Sequence, residues 1–477
     1  MKNIRTEYDA IVVGAGPNGL SAAITLQQAG LSVLLLEAST TVGGGMRTAE
    51  LTLPHFYHDV CSAIHPLGVQ SSVFKAMPLE RFGLSFITPP VAAAHPFDDG
   101  SAALLKKSIV ETAATLGKDA AAYQKLMEAF VPLWPAIEAS FLGPLRYRPQ
   151  MLQLSRFGFN AALPASLFAK IYFQNQAAKG LFAGMSAHSM LPFSGLTSSA
   201  IGLVLSVLGH LNGWPMPMGG SQRIANALAG YFESLGGEIQ TNFPVTALNE
   251  LPSAKAILFD VAPHQLLQIA GHRLSAVYRW QLERFVSGWG VYKIDYALHQ
   301  AVPFVAPGCA EAGTVHLGGT MAEIAAAEQQ VAQNKHPEKP FVLLAQQSRF
   351  DNTRAPAGKH TAWAYCHVPN GSTVDMTTPI ENQIERFAPG FKDTIIEKHV
   401  MNTEAFARYN LNYLGGEING GRQDITQLFT RPALRQSPYR TSARGLYLCS
   451  ASTPPGGGVH GYCGYHAARQ VLQDIFL

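Results

Sequence analysis

The residues with the clearest chemistry lie between Tyr8 and Thr48. Gly14-Ala15-Gly16-Pro17-Asn18-Gly19 carries glycine at its first, third and sixth positions, and Glu37 follows 18 residues after Gly19. In such a turn Gly14 permits the tight bend, Gly16 lets backbone approach a pyrophosphate, and Gly19 lets a helix pack close to a strand. A helix that starts there offers unpaired N–H groups and partial positive charge to phosphate oxygens. A carboxylate at the spacing of Glu37 accepts hydrogen bonds from a ribose hydroxyl. The chemistry predicted is therefore the holding of a dinucleotide, with Asn18 as a further contact.

The flanking elements are those needed to position these groups. Residues 9–13 form a short apolar run rich in β-branched side chains, a helical pattern extends from Leu20 to Gly30, and residues 32–36 form a second apolar run. Such runs read as buried parallel strands. Strand, glycine turn, helix, strand and acid in one register distinguish this unit from a ligand-free glycine turn.

Beginning six residues after Glu37 comes Gly43-Gly44-Gly45-Met46-Arg47-Thr48. Here the chain resembles the glutathione-reductase-like FAD superfamily. Within it the similarity is to the phytoene desaturase and carotenoid isomerase branch, and to the group called pyridine nucleotide-disulfide oxidoreductase domain-containing protein 2. The resemblance implies non-covalent FAD, with Gly43 and Gly44 covering it. Gly45 stands where flavin amine oxidases place an arginine, so no role passes to Arg47.

Two further blocks carry the resemblance. Gly219-Gly220-Ser221 precedes a helical pattern and a predicted strand over 238–245, with another over 256–261. In FAD relatives this block brings a backbone valine to the adenine, and the matching residue is Val245. Near the C terminus, residues 445–450 read as a strand, 451–461 as a glycine-rich turn and 462–473 as a helix. This segment is similar to the end of phytoene desaturases and implies that Ser450, Gly458 and Val459 enclose the flavin, with the helix N terminus aimed at it. A strand over 288–298 resembles the one whose lysine holds a water against flavin N5 in amine oxidases, which makes Lys293 the catalytic candidate. A lysine directed to solvent is the alternative.

The bulk composition bounds the rest. A chain of 477 residues exceeds one ordinary core. The expected fold is α/β: a discontinuous Rossmann-like, glutathione-reductase-type FAD-binding domain (1–78, 216–263, 435–477) with an inserted mixed α/β substrate or cap domain (79–215, 264–434). Charged residues are 14%, and a net charge of +3 gives no basis for nucleic-acid binding. Residues 180–222 contain no Asp, Glu, Lys or Arg over 43 positions. The tract reads equally as buried helices or as the wall of an apolar channel, and its apolar core is too short to span a bilayer. Arg146, Arg148 and Arg156 alternate with Leu145, Tyr147, Leu152, Phe157 and Phe159, a mix that suits either peripheral membrane contact or an exposed helix face.

Five cysteines form no C-x-x-C pair, which argues against a disulfide reductase and against structural zinc. His55, His58 and His65 match no metal-ligand spacing, and no metal is expected; His65 reads as structural, with a place beside the flavin as the alternative. With no signal-like start and no long continuous apolar run, the expected location is cytoplasmic, soluble or membrane-associated.

The leading expectation is an FAD-dependent oxidoreductase transferring hydride between C–C bonds of an apolar, polyene or lipid substrate and flavin N5, with oxygen or a quinone as electron acceptor. Flavin-assisted isomerisation belongs to the same reading. The alternatives are an amine-oxidase-like enzyme and an FAD-stabilised binding or assembly protein without turnover.

Overall fold

The computed structural model describes residues 5–143, 154–428 and 430–477. In chain order the strands are β1 (Glu7–Val13), β2 (Val33–Leu36), β3 (Thr48–Glu50), β4 (Tyr57–Asp59), β5 (Phe86–Ile87), β6 (Val91–Pro96), β7 (Ala102–Leu105) and β8 (Met216–Pro217). They continue as β9 (Glu238–Gln240), β10 (Ser253–Phe259), β11 (Gly290–Leu298), β12 (Ala312–Leu317), β13 (Val342–Ala345), β14 (His360–Val368), β15 (Ile395–Met401) and β16 (Leu446–Leu448).

One sheet is wholly parallel, in the order β16-β10-β1-β2-β9. The central parts of β1, β2 and β10 are apolar because both faces are covered there. Ala10 and Val12 of β1 pack with helices Pro17–Gln28, Gln222–Ser234 and Tyr462–Val471 on one side. Ile11 and Val13 pack on the other, against helices Pro263–Ala270 and Ala276–Glu283. These last two helices correct the boundary expected after residue 263: their apolar faces complete the parallel sheet rather than the substrate domain. Close helix packing is set by Gly464, where a Cβ would lie 1.8 Å from the Asn18 carbonyl oxygen.

The predicted strand over 238–245 pairs only as Glu238–Gln240. Beyond it the chain turns, with Asn242 at φ +54°, and the N–H groups of Asn242 and Phe243 donate to the carbonyls of Ser39 and Glu37. The backbone bonds thus pass from the sheet to the loop after β2.

The second sheet runs β15-β11-β14-β13-β12-β6-β7, antiparallel except between β12 and β6. Side chains directly opposite on paired strands share a face. One transverse row is therefore His316, Leu343, Tyr365, Lys293 and Met401, and the next is Thr314, Ala345, Trp363, Asp295 and His399. The opposite face carries Val315, Leu344, Ala364 and Ile294 and packs in a separate core with Ile380 and Ile384.

The charge-free tract supplies most of helix Gln176–Ala187 and all of helix Ala200–Asn212, which join the core on the first face of this sheet. Among the described residues no helix is long and apolar enough to cross a membrane. Arg146 and Arg148 lie outside the described residues. Arg156 is exposed on helix Ser155–Ala162, its guanidinium 5.8 Å from the Phe130 ring centroid.

Candidate functional site

A cavity of about 900 Å³ lies between the two sheets, its wall including Gly14–Asn18, Leu36–Ser39, Cys61–Gly68 and residues of β12 to β14. This volume is at the upper end of the roughly 300–1,000 Å³ usual for small-molecule sites.

The glycine turn occupies the end of β1, with Gly14 at φ +99° and Gly16 as the N-cap of helix Pro17–Gln28. At Gly19 a Cβ would fall 1.9 Å from the Gly14 carbonyl oxygen, so only glycine permits this helix–strand approach. Asn18 is 3% exposed and lines the cavity, and its Oδ1 has no partner among the described residues. An orphaned buried acceptor is costly unless a ligand or water meets it.

Glu37 also lines the cavity, but the chain already uses most of its acceptor capacity. Oε2 accepts from the Ala15 N–H at 2.9 Å, and Oε1 accepts from the Ser39 N–H at 2.9 Å and Arg47 Nη2 at 3.1 Å. A carboxylate oxygen has two lone pairs, so Oε2 retains one for a ligand hydroxyl. Arg47, to which the sequence assigned no role, holds Glu37 in place and stacks 5.5 Å above the Tyr409 ring.

Asp260, immediately after β10, is a residue the sequence reading missed. Its N–H donates to the Val13 carbonyl at 2.7 Å, and its Oδ2 accepts from the Gly19 N–H at 2.9 Å. Gly16 provides a second backbone donor, and a Cβ there would lie 2.8 Å from Oδ2. Burial pushes this carboxyl up to about 7, the nearby Glu37 charge acting in the same direction against the two backbone donors. The available signal was an acid ending an apolar run just before Val261-Ala262-Pro263.

Gly16, Gly44, Val245, Ser450, Gly458 and Val459 join Gly14, Asn18 and Glu37 on the cavity wall. Gly19 and Gly43 do not. Gly19 is spent on helix packing and on Asp260, while the Gly43 N–H donates to the Ala15 carbonyl at 2.8 Å and braces the turn from behind. The C-terminal helix, Tyr462–Val471, follows directly on a loop of this wall. The Tyr462 N–H bonds to Nδ1 of His460, and neither residue lines the cavity; Gly457–Val459 of the preceding loop does.

His65 lines the cavity and bonds through Nε2 to Ser221 Oγ at 2.8 Å. Ser221 in turn donates to the Ser62 carbonyl, and its N–H donates to Asp59 Oδ1. Asp59 is ion-paired with Arg354 Nη2 at 2.7 Å, both fully buried. Burial pushes His65 down to about 4, so it is a neutral positioning group at physiological pH. Among the described residues no three His, Cys, Asp or Glu side chains are grouped to hold a metal.

Lys293 is corrected as a cavity residue. It lies on the expected strand, but it is 1% exposed, so it does not point to solvent, and it does not line the cavity. Its ammonium is ion-paired with buried Asp295 and sits 5.6 Å from the Trp363 ring centroid. Burial pushes the Asp295 carboxyl upward, yet the charge of Lys293 beside it leads the effects that hold it below the usual carboxylate range. A lysine taken out of water needs such a partner.

At the sheet side the wall includes Ile64, Leu67, Ile201, Leu205, Trp214, Leu343, Trp363 and Tyr365, with His188 and Thr314 among its polar members. Four residues of the charge-free tract, His188, Ile201, Leu205 and Trp214, thus reach the cavity, while most of the tract packs as core.

Comparison with known proteins agrees with this architecture. Residues 12–77 match the NAD(P)-binding Rossmann-like domain family. Over the whole chain, pyridine nucleotide-disulfide oxidoreductase domain-containing protein 2 of Mus musculus is 26% identical, covering 99% of this chain and 94% of its own. Among solved structures, putrescine oxidase bound to putrescine superposes with a TM-score of 0.64 at 16% identity, covering 98% of this chain and 99% of that one. Cyclohexylamine oxidase from Brevibacterium oxydans gives 0.58 at 14% identity, with coverage of 98% and 99%. The chain has the mixed α/β fold of FAD-dependent amine oxidase and oxidoreductase structures, built on a Rossmann-like NAD(P)-binding domain.

Proposed function

We propose that this protein is an FAD-dependent oxidoreductase that transfers hydride from C–H bonds of an apolar substrate, of the desaturase, dehydrogenase or isomerase type, with oxygen or a quinone as acceptor. One observation carries the reading: a single cavity is walled by a dinucleotide-type glycine turn on one side and by uncharged, largely aromatic and aliphatic side chains on the other. FAD, when bound, supplies the hydride acceptor. The start of helix Pro17–Gln28 presents N–H groups and its dipole to the anionic part of the cofactor, Glu37 Oε2 offers an acceptor to a sugar hydroxyl, and Asn18 Oδ1 offers a second. Val245 and the loop Gly457–Val459, both on the cavity wall, would contact the cofactor when it is bound. Leu205, Trp214, Leu343 and Trp363 exclude water from the reacting carbon, and each buried CH₂ of substrate contributes about 0.8 kcal/mol.

The similarity to amine oxidases supports the fold and leaves amine chemistry second, because the residues that β12 to β14 give to the cavity wall, Thr314, Leu343, Trp363 and Tyr365, include no carboxylate to receive an ammonium group. Membrane contact is proposed through helices Ser155–Ala162 and Ala165–Tyr172, which expose Phe159, Leu167 and Ile171 beside Arg156 and Lys170.

Anaerobic spectrophotometry of the purified protein tests the reading. A polyene or cyclic terpene should bleach a non-covalently held flavin that chromatography identifies as FAD. A preparation without FAD refutes the cofactor assignment, and bleaching by putrescine alone replaces hydrocarbon with amine oxidation.

A further inference from the structure

We propose that the sheet side of the cavity is a recognition site for a neutral hydrogen-bonding group, a hydroxyl or carbonyl, on an otherwise apolar substrate, and that His188 and Thr314 are its partners. The proposal rests on the apolar-substrate reading of the same cavity and adds to it a polar anchor.

The site is built by an unusual approach of helix to sheet. Thr314 and His316 alternate onto the cavity-side face of β12. Above them runs helix Gln176–Ala187, whose Gly180 and Gly184 lie one turn apart. A Cβ at Gly184 would fall 2.5 Å from His316 Nδ1, and one at Gly180 would fall 2.8 Å from the His95 ring. Both imidazoles are fully buried against glycine backbone where no larger residue fits. His316 Nε2 then meets His188 Nε2 at 2.9 Å, just past the end of that helix.

The pair commits one nitrogen of each ring to the other. His188 lines the cavity and keeps Nδ1 as the ring nitrogen left for a ligand. Either histidine can be the donor within the pair, so Nδ1 of His188 can present a proton or a lone pair. Thr314 is the second polar group on this wall. It is 1% exposed, and its hydroxyl has no hydrogen-bond partner among the described residues. Both groups stand among Ile201, Leu205, Trp214 and Leu343, where an unmet polar atom is destabilising.

The electrostatics select a neutral partner. Burial pushes His188 down to about 3, and it pushes His316 well below the ordinary histidine range. Neither carries charge at neutral pH, so a carboxylate finds no cation there. The nearest lysine on this face, Lys293, is already paired with Asp295. The carboxylates around this wall are already engaged: Glu328 behind it is bonded to His367 at 2.8 Å, and Glu417, which also lines the cavity, accepts from the N–H groups of Asn419 and Gly421.

Matched six-carbon probes test this on the flavin-loaded protein: cyclohexanol, cyclohexanone, cyclohexane, cyclohexylamine and cyclohexanecarboxylate. Binding is read by calorimetry and by the fluorescence of Trp214 and Trp363. Cyclohexanol or cyclohexanone should bind about tenfold more tightly than the other three, as expected of one or two buried hydrogen bonds. His188→Phe and Thr314→Val should each erase most of that preference while the flavin absorbance stays intact. Two variants on different elements guard against a misfolded one. Equal binding of cyclohexane, tighter binding of the amine or the carboxylate, no binding of any probe, or an unchanged preference in both variants overturns the proposal. A protein that purifies without flavin refutes the cofactor reading instead, and the same titration on it still decides the polar anchor.

Discussion

Asp260→Asn should stabilise the protein in a manner that depends on pH. The carboxyl is buried beside the glycine turn, with backbone donors from Gly19 and Gly16, no cationic partner among the described residues, and Glu37 close enough to repel it. Its pKa is raised from 3.8 to about 7, so the folded state binds the proton more tightly than the unfolded chain. The contribution of this group is therefore fully favourable below pH 3.8 and is lost progressively as pH rises through about 7. At about 1.4 kcal/mol per pKa unit, the loss is on the order of 4 kcal/mol above pH 8, of which roughly 1 to 2 kcal/mol has already gone at pH 5. Asparagine keeps an oxygen to accept from the Gly19 N–H and cannot ionise. Relative to wild type, Asp260→Asn should gain roughly 2 to 3 kcal/mol between pH 5 and pH 8. Urea denaturation of the flavin-free protein at the two pH values measures the difference. FAD titration followed by flavin fluorescence provides a second measurement: an anionic cofactor at this turn favours the protonated acid, so wild-type affinity should fall above neutrality while that of the variant stays level. A wild-type-to-variant stability difference that is the same at both pH values would refute the reasoning.

Lys293→Met should destabilise by about 3 to 5 kcal/mol through an unpaired buried Asp295, and adding Asp295→Leu should recover much of the loss in thermal denaturation; loss of turnover without loss of stability would return Lys293 to catalysis. Leu205→Asp should leave FAD absorbance intact and abolish binding of apolar probes, because Leu205 lies on the cavity wall; release of flavin on purification would mean that the residue acts as core. NADH and NADPH should reduce the flavin slowly in anaerobic stopped flow, since the sequence carries one glycine fingerprint and Gly219-Gly220-Ser221 lacks its spacing; rapid reduction at micromolar nicotinamide contradicts this. Phe159→Asp with Ile171→Asp should weaken co-sedimentation with anionic liposomes, and equal sedimentation of both forms removes the membrane-contact proposal.

Residues 7–37 were legible from sequence because their determinants are local: an apolar run, glycines at fixed spacing, a helix start and an acid all lie within one βαβ unit. The same holds for the tight turn at Gly14 and for the placement of Glu37 at the cavity. What the chain could not announce is which distant residue enters that turn. Asp260 reaches Gly19 across 241 positions only because β10 pairs in parallel with β1. Nor could the pattern of β11 reveal where Lys293 points, since all nine of its residues are buried and period-two alternation carries no signal when both faces are covered. The sheet register places Lys293 beside Asp295 and beneath Trp363, which seals it from the cavity. His188 and His316 stand 128 residues apart, and each alone is an unremarked histidine in an apolar stretch. Pleating of β12 and two glycines on one helix bring them into contact, so tertiary packing alone decides that polar groups stand on this otherwise apolar wall.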